Sequence, residues 1–159
     1  MGINFALETI IAQRYRLISI LGKGNHATTY KALDLTSQTE VALKILPWQA
    51  IQQWKTWELL EREAQVLAKL DYPSIPNYID FFSEEQQQQQ IFVIVQELAP
   101  GKSLAEWVKS GWRTSEAEIK DIAVQVLDIC QYLHNLSPPV IHRDIKPQNL
   151  LRTNEGKIY

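Results

Sequence analysis

Cysteine occurs once in the 159 residues, as Cys130. A single thiol excludes a disulfide framework and a cysteine metal cluster. The three histidines, His26, His134 and His142, are too far apart in sequence to predict a structural zinc site. Cys130 lies in a helical pattern, where a small buried apolar residue is expected. Long apolar runs are also lacking, and none nears the ~20 residues needed to cross a bilayer. The first residues have neither the basic nor the long apolar region of a secretory signal. Met1-Gly2 opens like an acylation signal, but Ala6 stands where Ser or Thr is required. A cytoplasmic protein is the expectation. Charge of one sign is scarce too: 16 basic residues against 18 acidic ones leave a net charge of −2, which gives no electrostatic ground for nucleic-acid binding.

The chain does have enough apolar residues, 45% of the total, to build a core the size of one ordinary domain. Tyr15–Leu21, Thr28–Asp34 and Val41–Leu46 read as three strands. Their connections are too short for parallel crossovers, so an antiparallel meander is predicted. From Ile51 to Leu70 the period becomes helical, with Leu59, Val66, Leu67 and Leu70 on one stripe and Glu63 on that same stripe. Two further strands follow, near Asn77–Phe82 and Ile91–Glu97, with the glutamine run 86–90 as the tip of their hairpin. Beyond Pro100-Gly101 the chain turns helical. Ser103 is placed to cap Leu104–Val108, and Ser115 with Glu118 forms a capping box. Behind that box Ile119, Ile122, Val126, Ile129 and Leu133 predict one long buried face. The last residues, from Leu150 on, predict a hairpin turning at Asn154-Glu155-Gly156.

Three stretches carry chemistry. Gly22 and Gly24 interrupt two strands, so their backbone can approach a ligand closely and offer N–H groups to phosphate oxygens. A dinucleotide fingerprint is disfavoured there, because Ala27 replaces the third glycine and no helix follows. Lys44 shares a strand face with Ala42, while Leu43 and Ile45 point the other way. Charges in apolar settings tend to be paired, and the helix that follows brings Glu63 as the natural partner. The third stretch, His142-Arg143-Asp144-Ile145-Lys146-Pro147-Gln148-Asn149, sets an acid, a base and an amide between two apolar runs. That layout aims charged groups into a cleft.

Taken together, Leu21 to Thr29, Val41-Ala42-Leu43-Lys44, Glu63 and His142–Asn149 resemble the eukaryotic-type serine/threonine protein kinase family in order and spacing, over roughly residues 15–159. The resemblance implies an α+β, protein-kinase-like fold. Residues 1–14 would be an N-terminal extension and 15–97 a five-stranded antiparallel lobe with one helix. Residues 98–101 would be a hinge and 102–159 part of a mainly helical lobe. It also implies ATP and Mg²⁺ as ligands and a protein Ser/Thr hydroxyl as acceptor. Gly22, Lys23, Gly24, Asn25, His26, Ala27 and Thr28 would cover the phosphates, with Leu21 and Thr29 against the adenine. Lys44 would hold the α- and β-phosphates and pair with Glu63. Gln96 would stand at the back of the adenine site, the Glu97 carbonyl and Ala99 N–H would hydrogen-bond the base, and Ala42 and Leu151 would sandwich it. Asp144 would orient the acceptor hydroxyl or take its proton, Lys146 would neutralise the transferring phosphoryl group, and Asn149 would bind Mg²⁺. His142 and Arg143 would support them.

The family's Asp-Phe-Gly does not occur in these residues. A fragment of a kinase, inactive alone and with partnerless apolar helix faces, is therefore expected. A non-catalytic nucleotide-binding or scaffold module is the alternative. A small-molecule phosphotransferase is disfavoured by Arg143 and Lys146.

Overall fold

Alternation with period two dominates the first half of the chain. In the computed structural model, which describes residues 4–24, 27–48, 61–62 and 64–159, it produces a sheet whose two faces differ in kind. The strands are β1 (Ile10–Ile11), β2 (Tyr15–Lys23), β3 (Thr28–Asp34), β4 (Thr39–Pro47), β5 (Tyr78–Gln86) and β6 (Gln89–Glu97). They pair antiparallel in the order β1-β2-β3-β4-β6-β5. The predicted meander is present, but the sheet has six strands where five were expected. Residues 10–11, assigned to an extension, pair with β2. Residues 61–62 and 64–67 are helical, as the apolar stripe predicts. The expected start of that helix, Glu63 with its expected pairing to Lys44, and Asn25 and His26 lie outside the described residues.

One face of the sheet is an apolar core. Phe5, Ile11, Tyr15, Leu17, Tyr30, Ala32, Val41, Leu43, Ile45, Ile91, Val93 and Val95 form a single buried cluster. Large-to-small changes at such sites typically cost about 2–5 kcal/mol. Among the described residues one carboxylate, Asp34, is buried beside this face, and its charge is matched. Arg14 donates to it through two nitrogens, at 2.9 and 2.7 Å, and the Thr36 N–H and Ser37 hydroxyl add two more bonds at 2.9 Å. Those donors hold the Asp34 carboxyl far below the usual carboxylate range.

A second unit comprises Asp71–Pro76 together with Ala99–Tyr159. The segment 71–76, which the sequence places in the first lobe, joins this unit through Tyr72, stacked on Tyr132 at 4.7 Å, and through the Asp71 N–H, which donates to the Tyr132 hydroxyl at 2.8 Å. Its helices are α1 (Leu104–Lys109) and α2 (Glu116–His134). Both predicted caps are present as full capping boxes, Ser103 with Glu106 and Ser115 with Glu118. A two-stranded ladder joins β7 (Lys102–Ser103) to β8 (Leu151–Arg152). The predicted terminal hairpin forms, with Leu151 and Tyr159 exchanging both backbone bonds at 2.9 Å. The long buried face of α2 does not: of the residues assigned to it only Leu133 is buried, and Ile119 is 54% exposed. Periodicity marks an apolar stripe, but burial needs a second layer, and no described element covers this one at Ile119. Cys130 is likewise half-buried rather than buried.

Two predictions follow from this packing. Gln87 and Gln88 connect β5 to β6 with φ of 52° and 63°, the geometry of a turn that prefers Asn-Gly. Gln87→Asn with Gln88→Gly should raise stability by about 1 kcal/mol, read as a higher urea midpoint. The depressed Asp34 pKa adds stability that is complete above the unfolded value of about 3.9 and is lost as pH falls through the folded one. Acid titration of Asp34→Asn beside the parent should show a shallower loss of stability below pH ~4.

Candidate active site

In the first unit, register decides which side chains meet. Thr29 is opposite Lys44, and Lys44 is opposite Ile94. Ala42 is opposite Gln96, which is opposite Tyr78. Directly opposed residues share a face. Thr29, Ala42, Lys44 and Gln96 therefore lie together on the face away from the core, while Leu43 and Ile45, the neighbours of Lys44 in sequence, are buried in that core. All four are half-buried, a setting in which a lysine can reach a ligand while its stem packs on apolar neighbours.

The glycine turn continues β2. Gly22 pairs with Thr29 and Lys23 with Thr28, after two register shifts between Leu17 and Gly22. Leu21 is about half exposed. A Cβ at Gly22 would meet nothing within 4 Å, so space is open above this backbone. The Gly24 N–H donates to the Ala27 carbonyl at 2.8 Å. That bond closes the turn and removes one of the N–H groups expected to face a phosphate. At the far end of the sheet Glu97 is clasped to Asn77: its N–H donates to the Asn77 carbonyl at 2.9 Å, and its carboxylate accepts the Asn77 N–H at 3.2 Å. The Glu97 carbonyl is the group the family assigns to the base. Nothing in the sequence marks Asn77 for this role, because the partner lies 20 residues away.

In the second unit the loop residues converge. Lys146 Nζ is 2.9 Å from Asp144 Oδ1, and Asn149 Nδ2 donates to Asp144 Oδ2 at 2.8 Å and to the Asp144 carbonyl at 2.9 Å. The Asp144 N–H donates to His142 Nδ1 at 3.3 Å, so a neutral His142 carries its proton on Nε2. Arg143 between them has φ of 62°, a left-handed conformation that costs a non-glycine residue about 1–3 kcal/mol and is held by its surroundings. The loop's downstream end is fixed to α1. The first N–H groups of a helix have no partner within it, and here Leu104 N–H donates to the Leu150 carbonyl at 2.9 Å and Ala105 N–H to the Pro147 carbonyl at 3.1 Å. Gly101 makes the approach possible: at φ +97° its place would put a Cβ 2.4 Å from the Arg152 carbonyl oxygen. Ala99 and Leu151 are half-buried in this unit, Leu151 within β8.

Electrostatically, Lys146 and then Asn149 pull the Asp144 carboxyl below its ordinary range, so it is anionic at neutral pH. Among the described residues no group of three His, Cys, Asp or Glu side chains is placed to hold a metal. The Asn149 amide turns its nitrogen to Asp144, which leaves the amide oxygen to meet a hard cation beside the Asp144 carboxylate. Mg²⁺ suits such a place, because it keeps few protein ligands and takes the rest from phosphate and water. Lys146→Ala should raise the Asp144 pKa toward the ordinary carboxylate range, followed by carboxyl-carbon NMR. An unchanged titration would mean that the 2.9 Å contact carries no weight in solution.

The sequence matches the protein kinase domain family over residues 15–159. It is 34% identical over 155 residues to the mouse serine/threonine-protein kinase tousled-like 2, covering 95% of this chain and 21% of that protein. Two serine/threonine-protein kinases of Synechocystis are similar at 35% identity: B over 151 residues (87% of this chain, 24% of that protein) and F over 167 residues (96% and 33%). The chain thus spans a fifth to a third of the length of these relatives. With the glycine turn, Lys44 and the Asp144–Lys146–Asn149 cluster all within the matched residues, the chain belongs to the protein kinase family.

Proposed function

We propose that the chain carries the ATP-binding and catalytic-loop elements of a serine/threonine kinase, which transfers the γ-phosphate of ATP to a protein Ser or Thr hydroxyl. The observation that supports this most is the convergence of Lys146 and Asn149 on the two oxygens of Asp144. A carboxylate kept anionic by a cation and an amide is a weak proton sink at neutral pH but a strong acceptor. Asp144 therefore aligns the acceptor hydroxyl and takes its proton late. Lys146, already beside that carboxylate, offsets negative charge on the phosphoryl group as it moves. Asn149 would hold Mg²⁺, which when bound would supply charge neutralisation of the phosphates. In the first unit Lys44 holds phosphate oxygens, and the open backbone at Gly22 gives them room. Ala42 and Gln96, on the face with Lys44, contact the base, Gln96 making its inner end polar. Such catalysis is mainly positioning and charge stabilisation.

These residues include no Asp-Phe-Gly, so the isolated chain should bind nucleotide without transferring phosphate. Titration with a fluorescent ATP analogue and Mg²⁺ should saturate, and Lys44→Ala should weaken binding by about 10- to 100-fold, the worth of a charge-assisted bond. No saturable binding by the parent would overturn the reading. Phosphorylation of a generic protein substrate that Asp144→Ala abolishes would overturn only the expected inactivity.

A further inference from the structure

The residues ahead of Tyr15, where the family resemblance begins, are not a loose leader. Phe5 and Ile11 are 4% and 0% exposed, inside the same core as Leu17 and Tyr30. The Phe5 N–H donates to the Tyr30 hydroxyl at 2.9 Å. The Glu8 N–H donates to the Leu17 carbonyl at 2.8 Å, and the Leu17 N–H donates to the Thr9 carbonyl at 2.9 Å. Both backbone groups of Leu17 are thus held from outside the β2–β3 ladder.

The same segment also reaches the opposite edge of the sheet. β1 and β5 are the two ends of the strand order, yet Gln86 Nε2 donates to the Ile10 carbonyl at 3.1 Å. The Gln86 side chain thus ties β5 to the backbone of the N-terminal segment. Beneath them Tyr15 stacks on Phe82 at 5.9 Å and 9°. Ala12 and Gln13, at φ of 50° and 53°, are in a conformation L residues disfavour, so this tight turn depends on its docking.

We propose that residues 5–14 are a strap that closes the sheet edge to edge and, by holding Leu17, sets the course of β2 into the glycine turn. The mechanical link is short. The two register shifts of β2 lie between Leu17 and Gly22, immediately downstream of the point the strap holds. With Leu17 fixed, the irregular stretch has one anchored end and Gly22 keeps its pairing with Thr29. With the strap off, the edges of β2 and β5 are both bare, and exposed edges pair with other chains. The strap is thus a remote positioning element for the turn, whatever the turn binds.

Amide hydrogen exchange on the full chain tests this against two variants. Removal of residues 2–13 should speed exchange at Leu17, Gly22 and Thr29 by about tenfold or more, while Val93 and Val95 stay slow. The substitution Gln86→Ala keeps the core and the chain length, and should speed exchange at Leu17 by about threefold to tenfold, as for one lost hydrogen bond. Unchanged exchange at Leu17 and Gly22 in the shortened chain would overturn the proposal. Should the shortened chain unfold outright, the Gln86→Ala variant decides: parent-like rates at Leu17 would overturn it, and faster rates there with slow Val93 would support it.

Discussion

The antiparallel register of β3, β4 and β6 is the constraint on which the first unit depends. Side chains alternate across a strand, so one choice of pairing settles two matters together. It sends Tyr30, Leu43, Ile45, Val93 and Val95 into the core, and it sets Thr29, Ala42, Lys44 and Gln96 on the other face. A slip of one residue would bury Lys44 and expose Leu43, a change the core cannot tolerate. Hydrophobic burial therefore fixes the polar site as firmly as any contact within it. The ion pair of Arg14 with Asp34 closes this arrangement at one end, where an unpaired carboxylate on the core face would be expensive.

The second unit solves a different problem, how to hold an irregular polar loop without burying it. Asp144 and Lys146 have side chains 60% and 47% exposed, so burial does little to position them. Backbone groups do it instead. The start of α1 needs acceptors for its first N–H groups, and the loop's carbonyls at Pro147 and Leu150 provide them. Each side thereby satisfies what the other lacks. The Asn149 amide then ties Asp144 to the anchored end, and Lys146 completes its charge balance.

Much of this was legible in the chain. Strand alternation in Thr28–Asp34 and the helix caps at Ser103 and Ser115 are local properties, and both appear where expected. Asp144, Lys146 and Asn149 lie within the eight residues His142–Asn149, so their convergence could be read directly. What was not legible depends on distant partners. The clasp of Glu97 by Asn77, the grip of Gln86 on Ile10, and the transfer of 71–76 to the second unit join residues far apart in sequence, with no local signal at either end. The stripe on α2 shows the opposite failure: its period was clear, but exposure at Ile119 depends on whether another layer is present.

By itself, then, the sequence determined the order of the main strands and helices, the face on which Lys44 stands, and the family to which the chain belongs. Each follows from periodicity or from residue types at short spacing, which the backbone enforces without help. Only the tertiary structure decided that residues 5–14 belong to the core and that β5 reaches the backbone of that segment. It also decided that the Gly24 N–H closes its own turn and that Asp144 has both oxygens engaged. Those outcomes depend on which donors and acceptors meet after the chain has folded back on itself, and hydrogen-bond geometry in three dimensions is not encoded in any short window.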